Sequence, residues 1–531
     1  MNLHHPLCAS LLAIAVAAAL PALAATEQSK SSTAILFQGF HWNSANGLLY
    51  SDLQAKAADL KALGVTHVWF PPPSDAAATQ GYLPRQLNKL DSSYGSEAAL
   101  TAATAALTAQ GIASVADVVI NHRVGTANWA DFTNPTWDCR AVVNSDEWTG
   151  KCGNADSGDG YAAARDIDHS QTFVQNDIKS WVGTRLKNAG FSGIRYDYSK
   201  GYAPSYAGIY HDAMAPGFCV GEIWTDLNFN NVDAHRQLLM NYVDGTGGKC
   251  GAFDFTTKGL LNQALSYNEY GRLRDGSGKP AGGIGWWAQK MVTFVDNHDT
   301  GPSESCGVGQ NHWPVPCDKV MQGYAYILTH PGIPTIYYPH VYNWGMKDAI
   351  KAIVNVRKEQ GLTSTSAVAI QRAENGLYAA IIDAKVAMKI GGTDWNPGSG
   401  WTLRASGSNY AVWTKGTTTT PGCTAVPVTF SIANASTVSG QSLYAVGNQT
   451  VLGNWTPANG FKLTVQGTGS NATWSGTAQL PPATAIQYKF VKWNGSSATW
   501  ESNQSTSSGN REATTAACGS SSTLNGGNFK F

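Results

Sequence analysis

From residue 34 to about residue 360 the chain alternates short, nearly continuous apolar runs with longer stretches of helical spacing. The runs read AILFQGFHW, VTHVWFPPP, IASVADVVINH, GIRYDY, FCVGEIW, CGAFDF, MVTFVDNHD and GIPTIYYPH. Runs with so little alternation suit strands buried on both faces, as in a parallel sheet. Between them, Leu53, Ala57, Leu60 and Leu63, and Phe173, Ile178, Val182 and Leu186, recur at the spacing of one helix face. The pattern predicts an α/β chain, a (β/α)8 TIM barrel over residues 25–360. One connection breaks the rhythm: residues 123–170, after the third strand, are rich in Gly, Asp, Asn and Trp and lack helical spacing. A loop of that length inside a compact domain is expected to be an inserted functional subdomain.

Beyond residue 360 the period shortens. AVAIQRA, GLYAAIID, VAMKIGG, WTLRASG and NYAVWTK predict a small antiparallel β domain over 361–415. A Thr/Gly/Pro linker follows at 416–422, and the short strands and turns of 423–531 predict a β-sandwich.

Composition narrows the partners. Lys+Arg and Asp+Glu both number 36, and this neutral balance argues against nucleic-acid or membrane-surface partners, which favour basic stripes. Most of the 18 Trp and 21 Tyr belong to cores, but rings left outside suit an uncharged, polyhydroxylated ligand. The apolar segment Leu7 to Leu23 ends on the small-residue pattern Ala22-Leu23-Ala24 and reads as a signal peptide over 1–24, with only His4 and His5 ahead of it. It is short and Ala-rich for a membrane anchor, so a secreted protein is expected. Of nine cysteines, Cys8 leaves with the signal. Proximity pairs the other eight as Cys139–Cys152, Cys219–Cys250, Cys306–Cys317 and Cys423–Cys518, although many pairings are formally open. An oxidising compartment fits them.

In a barrel, reactive groups sit at the C-terminal ends of strands. Asp197, Glu222 and Asp299 occupy that position on the fourth, fifth and seventh runs. A lone strand-end acid commonly caps a helix. Three converging beside Arg195, His122 and His298 make a site.

DVVINH, GIRYDYSKGY, GEIW and FVDNHD resemble the four short conserved regions of the α-amylase family of glycoside hydrolases. ILFQGFHW, GVTHVWFPPP and Gly81-Tyr-Leu-Pro84 resemble the plant-type members, and the GEIW to FVDNHDTG stretch also resembles bacterial maltotetraose-forming members. The resemblance implies Asp197 as nucleophile, Glu222 as general acid/base and Asp299 as transition-state stabiliser, with retention at the anomeric carbon. It implies Tyr82, His122, Arg195 and His298 around one sugar, and Lys200 and Trp224 on the leaving-group side. Arg195, two residues before Asp197 on the strand, is expected to lower its pKa.

Asn121, Asp156, Asp159 and Asp168 are oxygen donors gathered around the long loop, as Ca2+ requires. In similar amylases the matching Asn, loop aspartates and a carbonyl equivalent to that of Gly201 bind calcium; ordinary turn chemistry is the plainer alternative. SLYAVGNQTVLGNWTP, IQYKFVKW and TWESNQ resemble the carbohydrate-binding module family 20 modules found behind amylases. That implies one sugar site at Trp455, Lys489, Trp500 and Asn503, and a second at Tyr444. The expected partners are starch and malto-oligosaccharides, with no nucleic acid, no membrane and a monomeric chain. Three activities stand open: endo-acting α-amylase, which the plant-like DIDH end of the loop favours; a related enzyme releasing one defined product, such as maltotetraose, or transferring glycosyl groups; and an inactive starch-binding protein, against which the complete carboxylate set argues.

Overall fold

The computed structural model describes residues 32–127, 129–415, 425–467, 472–516 and 521–530. The expected signal peptide, the 416–422 linker and the Cys423–Cys518 pair lie outside the described residues.

Eight parallel strands close into a barrel: β1 (Leu36–Gln38), β2 (His67–Trp69), β3 (Ala113–Val118), β4 (Gly193–Tyr196), β5 (Phe218–Gly221), β6 (Gly251–Phe253), β7 (Met291–Phe294) and β8 (Ile333–Tyr337). Each pairs with its neighbours in sequence, and β1 closes on β8. Every residue of β4 and β5 is buried, as nearly unbroken apolar runs require. A helix follows each strand: α1 (Leu49–Leu63), α2 (Glu97–Ala109), α3 (Thr172–Ser180), α4 (Pro204–Met214), α5 (Val232–Gly245), α6 (Phe255–Tyr267), α7 (Val320–Thr329) and α8 (Lys347–Glu359). In α1 the buried stripe runs through Leu53, Ala57, Leu60 and Leu63, and the helix stops at Gly64, whose φ of 96° a side chain would resist. In α3 and the wider turns at Trp181–Leu186, the stripe starts at Val174 instead, because Phe173 is only half-buried. Side-chain caps start three of these helices: Ser96 accepts the Ala99 N–H, Asn231 the Ala234 N–H, and Asp254 the Thr257 N–H.

The excursion after β3 has little regular structure. His122–Arg123 pairs antiparallel with Arg165–Asp166 and closes its neck, and the Cys139–Cys152 disulfide crosses its interior. Arg123 is buried against the Phe132 and Trp137 rings, at 5.1 and 4.4 Å. Cys219–Cys250 and Cys306–Cys317 are also bridged.

A five-stranded antiparallel sheet follows: β9 (Val368–Glu374), β10 (Leu377–Ile382), β11 (Val386–Ile390), β12 (Trp401–Gly407) and β13 (Tyr410–Lys415), in the order β9-β10-β11-β13-β12. It shares the barrel's apolar core through Tyr378, Met388 and Val412. The Tyr378 hydroxyl meets His330 Nε2 at 2.8 Å, and the Gly391 N–H donates to Gln322 Oε1.

The described residues from 425 onward form a separate compact unit of two β-sheets around Phe430, Leu443, Leu452, Trp474 and Phe490. Four of its strands are β14 (Val426–Ala433), β15 (Ser442–Gly447), β16 (Thr473–Leu480) and β17 (Ala485–Trp493); β14 pairs with β16 in one sheet and β15 with β17 in the other.

Candidate active site

The register between β3 and β4 places Asp117 beside Arg195, so both side chains leave the same face of the barrel wall. Arg195 Nη1 donates to Asp117 Oδ1 (2.8 Å) and to Asp197 Oδ1 (2.7 Å). Its Nη2 lies 2.7 Å from Glu222 Oε1, an ion pair off the hydrogen-bond axis. The guanidinium is fully buried, 4.9 Å from the Trp69 ring centre and 5.9 Å from that of Tyr82. Asp117 Oδ2 in turn accepts from Trp69 Nε1 (3.1 Å) and the Tyr82 hydroxyl (2.9 Å). The sequence reading passes over Asp117, although it lies inside the DVVINH motif.

Two of the three expected carboxylates directly follow their strands. The Asp197 N–H donates to Val118 O and the Glu222 N–H to Tyr196 O, which extends the barrel ladder by one residue in each case. Glu222 Oε2 also accepts the Tyr198 N–H at 3.1 Å. Asp299 instead sits on the loop beyond β7, in a turn where Asn297 Oδ1 accepts the N–H groups of Asp299 and Thr300.

Four carboxylates around one cation cannot all ionise at ordinary carboxylate pKa values. Burial pushes Asp197 and Glu222 up, and the Arg195 charge pulls both back. Burial raises Asp299 well above its usual range, and Glu222 adds to this. Asp117 is pushed up to about 7, again by burial first, with Arg195 opposing. The expected lowering of Asp197 by Arg195 is therefore present but outweighed: loss of water costs the buried anion more than one shared guanidinium returns.

Aromatic rings and two histidines surround the carboxylates. Gln38 Nε2 donates to His298 Nδ1 (2.9 Å), which leaves the His298 proton on Nε2, 3.2 Å from Asp299 Oδ2. Burial holds His298 far below its usual pKa and His122 at about 4, so both rings are neutral. His122 Nε2 donates to the Tyr82 carbonyl at 2.8 Å. Both ring N–H groups are thus engaged by protein acceptors. Trp42 and Tyr82 are parallel within 2° at 6.3 Å, and Tyr82 stacks on His298 at 5.1 Å. Tyr161, from the excursion, stacks on His122 at 3.9 Å. Gln38, Trp42 and Tyr161 are absent from the sequence-based set, since no motif spacing marks them.

A cavity of about 440 Å³ opens beside Glu222, lined by Tyr198, Lys200, Trp224, Thr225 and Asp226. Lys200 and Trp224 both line it; Lys200 pairs with Asp159 at 3.7 Å, and Trp224 stacks on Phe255.

Asn121 and Gly201 meet. Asn121 Oδ1 is buried without a hydrogen-bond partner, and a Cβ on Gly201 would overlap it. The Asp159 N–H donates to Lys200 O, and Asp156 Oδ1 accepts the Ser157 and Gly158 N–H groups. Asp168 is saturated by donors from Asn154, Ser170 and Gln171. The carboxylate that touches Asn121 is Asp166, at 3.1 Å, which the sequence reading passes over. Burial pushes Asp166 up to about 7, and nearby Asp156 and Asp146 add to this. Among the described residues no three His, Cys, Asp or Glu side chains converge as a ready metal cluster, so a cation here would lean on Asn121 and backbone carbonyls.

In the second unit, Trp455 and Trp500 lie 6.5 Å apart with their planes inclined by 36°, and Trp500 is 38% exposed. Lys489 Nζ donates to Asn503 Oδ1 at 2.7 Å. Tyr444 is half-buried on β15. Trp455 has a φ of 65°, a left-handed backbone that non-glycine residues adopt at a cost.

Asp117→Ala should be among the most damaging substitutions near the site. It takes one of three carboxylates from the buried Arg195 and leaves the Trp69 Nε1–H and the Tyr82 hydroxyl without their acceptor, at about 1–3 kcal/mol for each unsatisfied group, measurable as a lower denaturation midpoint together with lost activity.

Residues 51–140 match the family model described as alpha amylase, catalytic domain; residues 359–414 match the alpha-amylase C-terminal beta-sheet domain; and residues 425–524 match a starch binding domain. A probable alpha-amylase 2 of Arabidopsis thaliana is 42% identical over 397 residues, covering 72% of this chain and 94% of that one. The glucan 1,4-alpha-maltotetraohydrolase of Stutzerimonas stutzeri is 31% identical over 549 residues, covering 94% of this chain and 95% of that one. The corresponding enzyme of Roseateles saccharophilus is 30% identical, covering 98% and 100%. With the barrel, its strand-end carboxylates and these relatives together, the chain belongs to the α-amylase family of glycoside hydrolases.

Proposed function

We propose that this protein is an α-amylase that hydrolyses internal α-1,4-glucosidic bonds of starch with retention. The observation that carries the reading is Arg195, whose single guanidinium contacts both Asp197 and Glu222 and so draws the two carboxyls toward the short separation a retaining pair needs. Asp197 attacks the anomeric carbon as the glycosidic C–O bond breaks, and Glu222 gives its proton to the departing oxygen. Water then attacks the glycosyl–Asp197 ester, Glu222 takes back a proton, and the carboxylate is released. Asp299, with His298 beside it, holds hydroxyls of the same sugar and steadies the positive charge that builds on its ring. In the first step Glu222 works only while protonated, and its raised pKa keeps it so to higher pH than an ordinary glutamate. Its function is therefore retained below that pKa and lost as pH rises through it.

Full-length similarity to two maltotetraohydrolases supports a second reading, release of maltotetraose from chain ends. The endo reading is preferred on the higher identity to the plant relative and on the DIDH end of the excursion. The 425–524 module is read as tethering the enzyme to starch, with Trp455, Lys489, Trp500 and Asn503 at one sugar site and Tyr444 at another. The three disulfides support export.

Calcium is proposed at the neck of the excursion. The unpartnered buried Asn121 Oδ1 and the close approach of Gly201 fit a hard cation, which Asp166 and backbone carbonyls, that of Gly201 among them, would help hold, with Asp156, Asp159 and Asp168 bracing the surrounding loop. Bound there, calcium would supply a fixed positive charge joining the excursion to the loop after β4.

Chromatography of the products from soluble starch over time tests the main reading. Mixed oligosaccharides should appear early, and a single dominant maltotetraose peak would transfer the assignment to the second reading. Glu222→Gln should lower kcat by about 10²–10⁴-fold or more, and Asp197→Asn by several orders of magnitude, with unchanged circular dichroism; near-wild-type rates would refute the roles. Chelation should lower the melting temperature, since a cation at a hundred times its Kd stabilises by about 2.7 kcal/mol. An unchanged melt would remove calcium from the account.

A further inference from the structure

One face of α6 supports the leaving-group side of the cleft at four points. Phe255, Lys258, Gly259 and Asn262 fall at helical positions that share a face. Phe255 backs the Trp224 ring, with centroids 5.6 Å apart and planes within 8°. Lys258 Nζ forms a fully buried ion pair with Asp296 at 2.8 Å, and the same Asp296 oxygen accepts the Val315 N–H. At Gly259 there is no side chain because the Trp313 ring and Leu227 occupy the place a Cβ would take. Asn262 Nδ2 reaches the Trp313 carbonyl.

The loop that carries Trp313 is also tied to Asp299. The N–H of His312 donates to Asp299 O, and the N–H of Trp313 to Thr300 O, both at 3.0 Å. The Cys306–Cys317 bridge closes the part of the loop that holds Trp313. A second cavity, of about 370 Å³, lies between this loop and the β5 loop, lined by Trp224, Thr225, Asp226, Leu227, His312 and Trp313. Three of these residues also line the cavity beside Glu222.

We propose that Trp313, seated in the notch at Gly259, is a positioning residue that holds the 299–317 loop as the far wall of the leaving-group side, in register with Asp299. The inference rests on the α-glucan reading of the cleft. A glucan passing Glu222 continues along Trp224 into the second cavity, and the backbone bonds to Asp299 and Thr300 make that wall and the catalytic turn move as one piece. Trp313 acts through the loop it anchors and need not touch the reacting atoms.

Maltoheptaose labelled at its reducing end tests this, with kcat, KM and the distribution of cut bonds measured for wild type, Gly259→Ala, Trp313→Ala and Trp313→Phe. Gly259→Ala and Trp313→Ala should raise KM and lower kcat/KM by about tenfold. They should also shift cutting toward the reducing end, because weakened leaving-side contacts favour modes with fewer sugars there. Trp313→Phe, which refills most of the notch, should restore much of the wild-type distribution. Stability loss alone lowers the amount of active enzyme and leaves the distribution of cuts unmoved. Folded variants with wild-type KM and cut distribution would overturn the clamp while leaving the enzyme's activity standing. A wild type unable to cleave maltoheptaose would overturn the functional reading, and the clamp with it.

Discussion

A guanidinium with no access to water, shared among Asp117, Asp197 and Glu222, is the constraint on which the site depends. An arginine in that position cannot give up its charge, and its planar fork can bond several carboxylates at fixed angles. Burying it is tolerable only because the barrel delivers acids to it from three adjacent strands, β3, β4 and β5. The same cation that makes the carboxylates tolerable in the interior also sets how far apart they stand. Stability and chemistry here are one arrangement: Trp69 and Tyr82 stack around the cation while bonding its counter-ion Asp117, so a change to the wall is also a change to the site.

The barrel is legible in the sequence because strands covered on both faces leave continuous apolar runs, and α1 because its apolar residues fall on one stripe. Asp197 and Glu222 are legible because each directly follows such a run. Asp117 is not, since its partnership with Arg195 depends on the register between two strands nearly eighty positions apart, which one run cannot reveal. Asp299 stands further from its strand than its motif suggests, because the turn around Asn297 carries it outward. The loop aspartates are ambiguous for a different reason. Asp156, Asp159, Asp166 and Asp168 are chemically alike, and only the pairing of His122–Arg123 with Arg165–Asp166 brings Asp166 to Asn121 and turns Asp168 toward its own neighbours. Aromatic partners such as Trp42 and Tyr161 stay hidden because a ring in a loop carries no periodicity.

Electrostatics shows where residue-by-residue reading stops. A neighbouring arginine argues for a lowered carboxylate pKa, and Arg195 does act in that direction on Asp197. Yet the balance is set by four acids and one cation removed from water together, and the protons belong to the group as a whole rather than to any one acid.

The tilt between Trp455 and Trp500 has its own consequence. Two rings whose planes diverge by 36° cannot both lie flat against a straight, ribbon-like polymer. A chain that touches both faces must turn between one ring and the other. At the sugar site proposed for these two rings, that geometry would suit a polymer whose linkages already bend it into a coil.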